Sequence, residues 1–489
     1  MSELILAIDE GTTSTRAIAF DLAGRAVATH AVPIAQMTPQ PAWVEQDAAQ
    51  IWQATLAALG AVAAQVGPER IAAIGITNQR ETVVFWDAQT SQPLAPAIVW
   101  QDRRGAALCA AMQAAGEEPA IQARTGLVLD SYFSASKIAW ALEHWPAVRE
   151  AAGTGRLRLG TIDSWLLWKL SDGAVHATDA TNASRTLLMD LAACRWDAQL
   201  CERFGVPMAA LPAITDSAGM LGETRAVGRP VPVTGVAGDQ QAAFIGHGCL
   251  SPGQAKATFG TGAFLLAHAG AQPAASRHRL LGTVAYRLAG QAAYALEGAI
   301  FVAGDAVRWM VDMGWFDRPA RVSELAASVP DSGGVAFVPA LTGLGAPHWR
   351  PDARGLLAGL STATRPAHIA FACLDSVAQQ CADLLDAFAG DGVPIADLRI
   401  GGGMAASDWL AQRLADMGGV AVERSGELEA TALGAAMLAS HGAGLFATLG
   451  EAVAAMRQDA GRFTPAIGAA ARAAGRAGWS RALRQALAE

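Results

Sequence analysis

The sequence has little of what would carry it to a membrane, a nucleic acid or an oxidising compartment. No stretch of its 489 residues approaches the roughly 18 consecutive apolar residues that a spanning helix needs. Charged residues make up only 16%, with a formal net charge of −8 and no lysine or arginine block. That argues against a nucleic-acid partner, which requires positive charge gathered on one face. No basic segment precedes the first strand-like residues, so no secretory leader is expected. Cysteine is scarce: Cys109, Cys194, Cys201, Cys249, Cys373 and Cys381 lie scattered among apolar residues with no CxxC pair. They read as free thiols in a reducing, cytoplasmic setting rather than as a disulfide framework or a metal site. What is abundant is apolar: hydrophobic residues form 52% of the chain. A chain of this length and composition is a compact enzyme of two or three domains, not a disordered protein.

The pattern along the chain is α/β. Leu4–Ile8 and Ala17–Phe20 read as two antiparallel strands around the tip Gly11-Thr12-Thr13-Ser14. Ile51–Gln65 has helical spacing, Ile71–Ile76 is a short apolar strand suited to a sheet covered on both faces, and Val83–Trp86 and Ala97–Trp100 read as further strands. The second half repeats this grammar. Ala255–Phe259 breaks at Gly260-Thr261-Gly262 and resumes as Ala263–Ala267, which makes an ancient duplication plausible. Between the halves, Val231–Val236 leads into Gly238-Asp239-Gln240-Gln241, and Gly246–Gly253 suits a hinge. Leu398–Ile400 meets Gly401-Gly402-Gly403, followed by a helix over Ser407–Met417 with Ser407 as N-cap. Ala430–Ser440 reads as a helix of small residues, and the last 30 residues as a surface helix.

The two hairpin tips carry the chemistry. Glycine lets a backbone approach an anion, and successive N–H groups in a tight turn form a concave anion site. Thr12, Thr13 and Ser14 add hydroxyl donors, Arg16 adds a charge, and Asp9 could hold Mg²⁺ through water. An ordinary hairpin turn with a capping aspartate is the plain alternative. A second tip, and a glycine turn at a helix start, favour phosphate binding.

Asp9-x-Gly11-Thr12-Thr13-Ser14 resembles the first phosphate loop of the FGGY carbohydrate kinases. The segments GITNQRET (Gly75–Thr82), AIVWQDRR (Ala97–Arg104), TNASRT (Thr181–Thr186), GVAGDQQAA (Gly235–Ala243) and TGLGAPHW (Thr342–Trp349) are similar to the branch of that family that phosphorylates glycerol. The resemblance implies the duplicated, two-domain actin/hexokinase/Hsp70-like (ribonuclease H-like) α/β ATPase fold with a cleft between the domains. Residues 1–246 would form the polyol and phosphate-loop domain, and 247–489 the nucleotide domain. It implies ATP-dependent phosphorylation of glycerol to sn-glycerol 3-phosphate with Mg²⁺, in a homodimer or homotetramer. Asp239 would be the general base and, with Asp9, the metal-side carboxylate. Arg80, Glu81, Trp100, Tyr132, Gln240 and Phe264 would bind the polyol, Trp100 and Phe264 forming its apolar wall. Thr12, Thr13, Ser14, Arg16, Thr261, Gly304, Arg308, Gly402, Gly403 and Ser407 would bind the nucleotide.

Four features depart from the family pattern. Glu10 stands where glutamine is usual, Gly401 where aspartate is, and Ser407 where asparagine is common. Ala226–Pro232 is shorter than the glycine-rich loop that binds a sugar-bisphosphate inhibitor in some bacterial members, which implies that this regulation is lacking. The nearest rival readings are a kinase of erythritol, threitol or dihydroxyacetone, and a non-catalytic sensor on the same scaffold. The sensor reading is opposed by Asp9 and Asp239 both being present and by the lack of a basic helix-turn-helix.

Overall fold

The computed structural model describes residues 3–426 and 429–487. Two large mixed sheets organise it. The first contains β1 (Leu4–Glu10), β2 (Ser14–Asp21), β3 (Ala26–Pro33), β4 (Ile71–Asn78), β5 (Ala218–Thr224) and β6 (Val231–Gly238), in the order β5-β6-β4-β1-β2-β3. The second contains β7 (Gln254–Phe259), β8 (Ala263–Gly270), β9 (Leu281–Leu288), β10 (Gln291–Ile300), β11 (Asp397–Gly401), β12 (Ala421–Ser425) and β13 (Asp459–Phe463). Its order is β9-β10-β8-β7-β11-β12-β13. The helices that position the site are α1 (Ala48–Val66), α2 (Asp239–Gly246), α3 (Gly304–Asp312), α4 (Pro366–Gly390), α5 (Asp408–Gly418), α6 (Ala430–Gly442) and α7 (Ala469–Leu487).

Strand β1 reads as an unbroken apolar run because both of its faces are covered. Leu4, Leu6 and Ile8 pack with Ile51, Leu59 and Val62 of α1. Ile5 and Ala7 lie in a second cluster with Leu433, Ala436 and Leu438 of α6. Alternation at period two sends the two sets to opposite faces. The second sheet is built likewise: Ala255, Ala257 and Phe259 pack with Val377, Ala378 and Cys381 of α4. Both hairpins form as expected, β1 antiparallel to β2 and β7 antiparallel to β8. Each has a parallel neighbour on its other side, β4 and β11.

The small residues of α6 are explained by close backbone approach. A Cβ added to Gly434 would lie 1.8 Å from the Ala242 carbonyl oxygen, and one on Gly246 would lie 1.9 Å from that of Ala430. Only glycine permits this crossing of α2 and α6. Ser407 caps α5, its hydroxyl accepting from the Leu410 N–H at 3.3 Å. One expected strand is shorter than predicted: Ala97–Trp100 is paired only over Ala97–Ile98. The buried Asp102 carboxylate draws in the Val44 and Arg104 N–H groups (2.7 and 2.8 Å), and this turns the chain out of the sheet before Trp100. All six cysteines are free, five of them buried. Among the described residues no helix is long and apolar enough to cross a membrane.

Candidate active site

Strands β1, β4 and β6 run parallel and end level, Asn78 being paired with Glu10 on one side and Gly238 on the other. The chain leaves the sheet at this edge as the Gly11 tip, as Gln79-Arg80-Glu81 and as Asp239, the first residue of α2. Carboxyl ends of parallel strands are where open α/β sheets place their ligands.

The first tip is closed by the Gly11 N–H donating to the Ser14 carbonyl at 3.0 Å. Gln46 Nε2 holds the Thr12 carbonyl (2.7 Å) and Gln79 Nε2 the Gly11 carbonyl (3.2 Å). Trp100 Nε1 donates to Thr12 Oγ1 at 3.1 Å. The side chain of Glu10 turns inward, away from the tip. It is fully buried, accepting from Thr15 Oγ1 (2.7 Å) and Gln79 Nε2 (3.4 Å). Burial pushes its carboxyl up to about 8. A protonated carboxyl group, like a glutamine amide, accepts through one end and donates from the other, so a glutamine here could accept from Gln79 and donate to the Thr15 hydroxyl. Burial also raises the Asp9 carboxyl, against the pull of Arg16. Arg16 is ion-paired to Asp9 and, at 2.6 Å, to Glu429.

Asp239 is about one-third exposed, and its Oδ1 lies 3.2 Å from Arg80 Nε. Arg80, Glu81, Arg185 and Glu297 form a buried ring of charges. Arg80 reaches Glu297 at 2.6 and 3.2 Å, Arg185 reaches Glu297 at 3.0 Å, and Arg185 Nε donates to Glu81 at 2.6 Å. Glu81 adopts φ of 62°, a left-handed backbone uncommon outside glycine and concentrated at functional sites. Burial holds the Tyr132 phenol well above its ordinary value, and its ring meets Trp100 edge-on at 5.8 Å. Lys137 fixes this segment by donating to the carbonyls of Ser131, Tyr132 and Phe133. Gln240 accepts from Lys256 Nζ, which burial lowers to about 8. A cavity of about 560 Å³ opens here, lined among others by Trp100, Tyr132, Thr261, Phe264 and Glu297.

In the second sheet Thr258 of β7 pairs with Gly401 of β11, so the Gly260–Gly262 tip and the Gly401–Gly403 turn leave the same edge. Gly304 N–H donates to the Gly260 carbonyl (3.0 Å) and Asp305 N–H to that of Thr261 (3.0 Å). A second cavity, of about 840 Å³, is lined by Gly260, Gly304, Arg308, Gly403, Ser407 and Trp409 among others. The second hairpin tip therefore stands between the two cavities, Gly260 facing one and Thr261 the other. Gly402 has φ of 85°, and a Cβ there would meet the Phe259 carbonyl oxygen at 2.3 Å. Arg308 is mostly exposed and paired to Asp305 at 2.8 Å. Gly401 has a steric reason: a Cβ would lie 2.8 Å from the ring of His247. That imidazole is buried and held neutral, burial lowering it to about 3.

Of the candidates from the sequence, Trp100, Tyr132, Thr261 and Phe264 line the first cavity and Gly304, Arg308, Gly403 and Ser407 the second, while the others lie at or next to strand ends outside either lining. Sequence reasoning passed over Glu297, Arg185, Lys256, Gln46 and Gln79. Two of these had a signal: Glu297 is the lone acid in the apolar strand β10, and Lys256 the lone cation of β7. Arg185 lies inside a segment that was recognised but given no role.

Two halves, each built on a mixed sheet whose edge opens with a glycine-and-hydroxyl hairpin, define a two-domain kinase fold. The chain belongs to the FGGY family of carbohydrate kinases: the family's N-terminal domain matches residues 4–246 and its C-terminal domain residues 255–443. The glycerol kinase of Rhodospirillum centenum is 50% identical over 486 residues, covering 98% of this chain and 97% of that protein. The glycerol kinase of Rhodospirillum rubrum is 50% identical over 487 residues, covering 98% of each. The crystal structure of Plasmodium falciparum glycerol kinase with ADP superposes with a TM-score of 0.96 at 33% identity, covering 100% of this chain and 99% of that one.

Proposed function

We propose that the chain transfers the γ-phosphoryl group of ATP to a terminal hydroxyl of glycerol, giving sn-glycerol 3-phosphate and ADP. The observation that carries this reading is the placement of Asp239: a carboxylate at a sheet edge, in contact with a buried arginine and on the same edge as a glycine-hydroxyl tip. Relatives half identical over nearly the whole chain are glycerol kinases.

Asp239 is the general base that accepts the proton of the attacking hydroxyl as the new O–P bond forms and ADP departs, a role that contributes about 10²–10⁴-fold. Arg80 and Gln240 donate to polyol oxygens. Glu81, whose Oε1 is taken by Arg185, accepts from a polyol hydroxyl through its other oxygen. Trp100, Tyr132 and Phe264 enclose the carbon skeleton. Thr12, Thr13, Ser14 and Arg16 meet the phosphates from the first domain and Thr261 from the second. Gly304, Arg308, Gly402, Gly403 and Ser407 border the base and ribose. Mg²⁺ fits Asp9 and Asp239: such an ion takes one or two carboxylates and completes its shell with phosphate and water. The described residues hold no cluster of three or more metal-ligating side chains that would suit a different ion. When bound, the ion neutralises charge on the transferred phosphoryl group.

The chain divides into a polyol domain (1–246) and a nucleotide domain (247–489), hinged at Gly246–Gly253, in a reducing cytoplasm. Support for the division is that each part holds one of the two large sheets. The test is ADP release with ATP-Mg²⁺ and a panel of glycerol, erythritol, threitol and dihydroxyacetone. Glycerol is expected to give the highest kcat/KM. A four-carbon polyol that outperforms it overturns the assignment, and no ADP release with any of them overturns the reaction.

A further inference from the structure

The polyol-side arginine is not held by its own domain alone. Arg80 carries five N–H groups. Nη1 donates to Glu297 Oε2 (2.6 Å) and Gln241 Oε1 (3.3 Å), Nη2 donates to Glu297 Oε1 (3.2 Å), and Nε faces Asp239 Oδ1 (3.2 Å). Among the described residues, one N–H of Nη2 is left without an acceptor. Glu297 comes from β10 of the second sheet, whereas Arg80 and Arg185 come from the first half of the chain. All three are at least 97% buried. The Glu297 carboxylate also borders the cavity formed by Trp100, Tyr132 and Phe264.

We propose that Glu297 is a positioning residue for the polyol, supplied by the second domain: with Arg185 it fixes the plane of the Arg80 guanidinium, and so the direction of the one donor left for a substrate hydroxyl. The proposal rests on the assignment of Arg80 to the polyol. Burial alone would favour the neutral acid at Glu297, yet the two guanidinium groups overcome it and hold the carboxyl down at about 2, so the charge is permanent at any working pH. Arg185 is the second anchor. Its guanidinium spans Glu81 and Glu297 and lies 5.9 Å from the Tyr132 ring and 5.2 Å from that of Phe133. Its Nη1 has no acceptor among the described residues. A buried ring of two pairs is a poor source of stability, since desolvation offsets most of the Coulomb gain. It does restrict geometry, because a bidentate arginine–carboxylate pair admits one plane. The consequence is a link between domain approach and recognition: Arg80 is aligned for glycerol only while the second domain is docked against it.

The experiment compares Glu297→Gln and Arg185→Lys with the wild type and with Arg80→Gln as reference. It measures kcat, KM for glycerol, KM for ATP, and kcat/KM for propane-1,2-diol and propane-1,3-diol, each lacking one hydroxyl. In Glu297→Gln the KM for glycerol is expected to rise about 10- to 100-fold, the worth of one hydrogen bond to a charged group. KM for ATP stays within about twofold, and discrimination against at least one diol falls by about tenfold, because a misaligned donor no longer penalises the missing hydroxyl. Arg185→Lys is expected to move the same quantities by less, since one ammonium cannot reach Glu81 and Glu297 together. It decides the question if Glu297→Gln fails to unfold cooperatively. A folded variant with lowered kcat but unchanged KM for glycerol and unchanged discrimination overturns the proposal, because that is what a merely structural ring produces. If Arg80→Gln leaves KM for glycerol unchanged, the assignment of Arg80 itself has failed, whatever the other variants do.

Discussion

Replacing Asp163 with asparagine is expected to make the protein more resistant to rising pH. Asp163 is fully buried at the start of a helix, its carboxylate accepting from Thr161 Oγ1 (2.5 Å), Thr178 Oγ1 (2.7 Å) and the Asp179 N–H (3.2 Å). Burial, then repulsion by the neighbouring Asp179, raises its carboxyl from 3.8 to about 7. The folded state therefore holds this proton more tightly than the unfolded chain does. The stability it contributes is complete below 3.8 and is lost as pH rises through about 7. At about 1.4 kcal/mol per decade, the loss between roughly pH 5 and pH 8.5 is about 2–3 kcal/mol. Asparagine has no such proton, and its amide can donate to Thr161 while its oxygen accepts from Thr178 and Asp179. Urea unfolding followed by tryptophan fluorescence at both pH values reads the effect. The stability of the variant relative to wild type is expected to improve by about 2–3 kcal/mol from the lower pH to the higher. A difference that stays constant within about 0.5 kcal/mol, the usual scatter for distant surface changes, refutes the reasoning.

Asp239→Asn is expected to keep its thermal transition and ATP affinity while kcat falls about 10²–10⁴-fold; near-wild-type turnover sinks the role of general base. Gly401→Asp drives a side chain into the His247 ring, 2.8 Å from where its Cβ would sit, and is expected to lower stability by about 1–3 kcal/mol, measured by urea unfolding. Glu10→Gln preserves the contacts to Thr15 and Gln79, so KM for ATP stays within about twofold in steady-state assays. The β5–β6 connection spans just 225–230, and micromolar fructose 1,6-bisphosphate is expected to leave the rate unchanged. Closure about Gly246–Gly253 predicts a smaller radius of gyration by X-ray scattering with glycerol and a non-hydrolysable ATP analogue than without; superimposable profiles refute it.

Much of the fold was legible because local chemistry and tertiary context agree. Leu4–Ile8 and Ala255–Phe259 have no other use for their apolar runs than a sheet covered twice. The tips at Gly11 and Gly260 carry residues that suit a tight turn wherever it is placed. The site was legible where its residues sit next to such turns: Thr12, Arg80, Glu81, Asp239 and Thr261 all follow a strand end by one to three positions. Trp100 was expected at the end of a strand but lies two positions beyond it, since the turn depends on Asp102 capturing the N–H group of Val44, 58 positions away.

By itself the sequence determined the paired hairpins, the strand-end positions of the candidate site residues and the small-residue character of α6, because each follows from the backbone and a handful of neighbours. Only the tertiary structure decided that Glu10 faces inward as a buried acid, that His247 occupies the space beside Gly401, and that Arg80 is gripped by Glu297, 217 positions further on. Those facts rest on desolvation and on the meeting of groups distant in the chain, and neither is a property of any local stretch of residues.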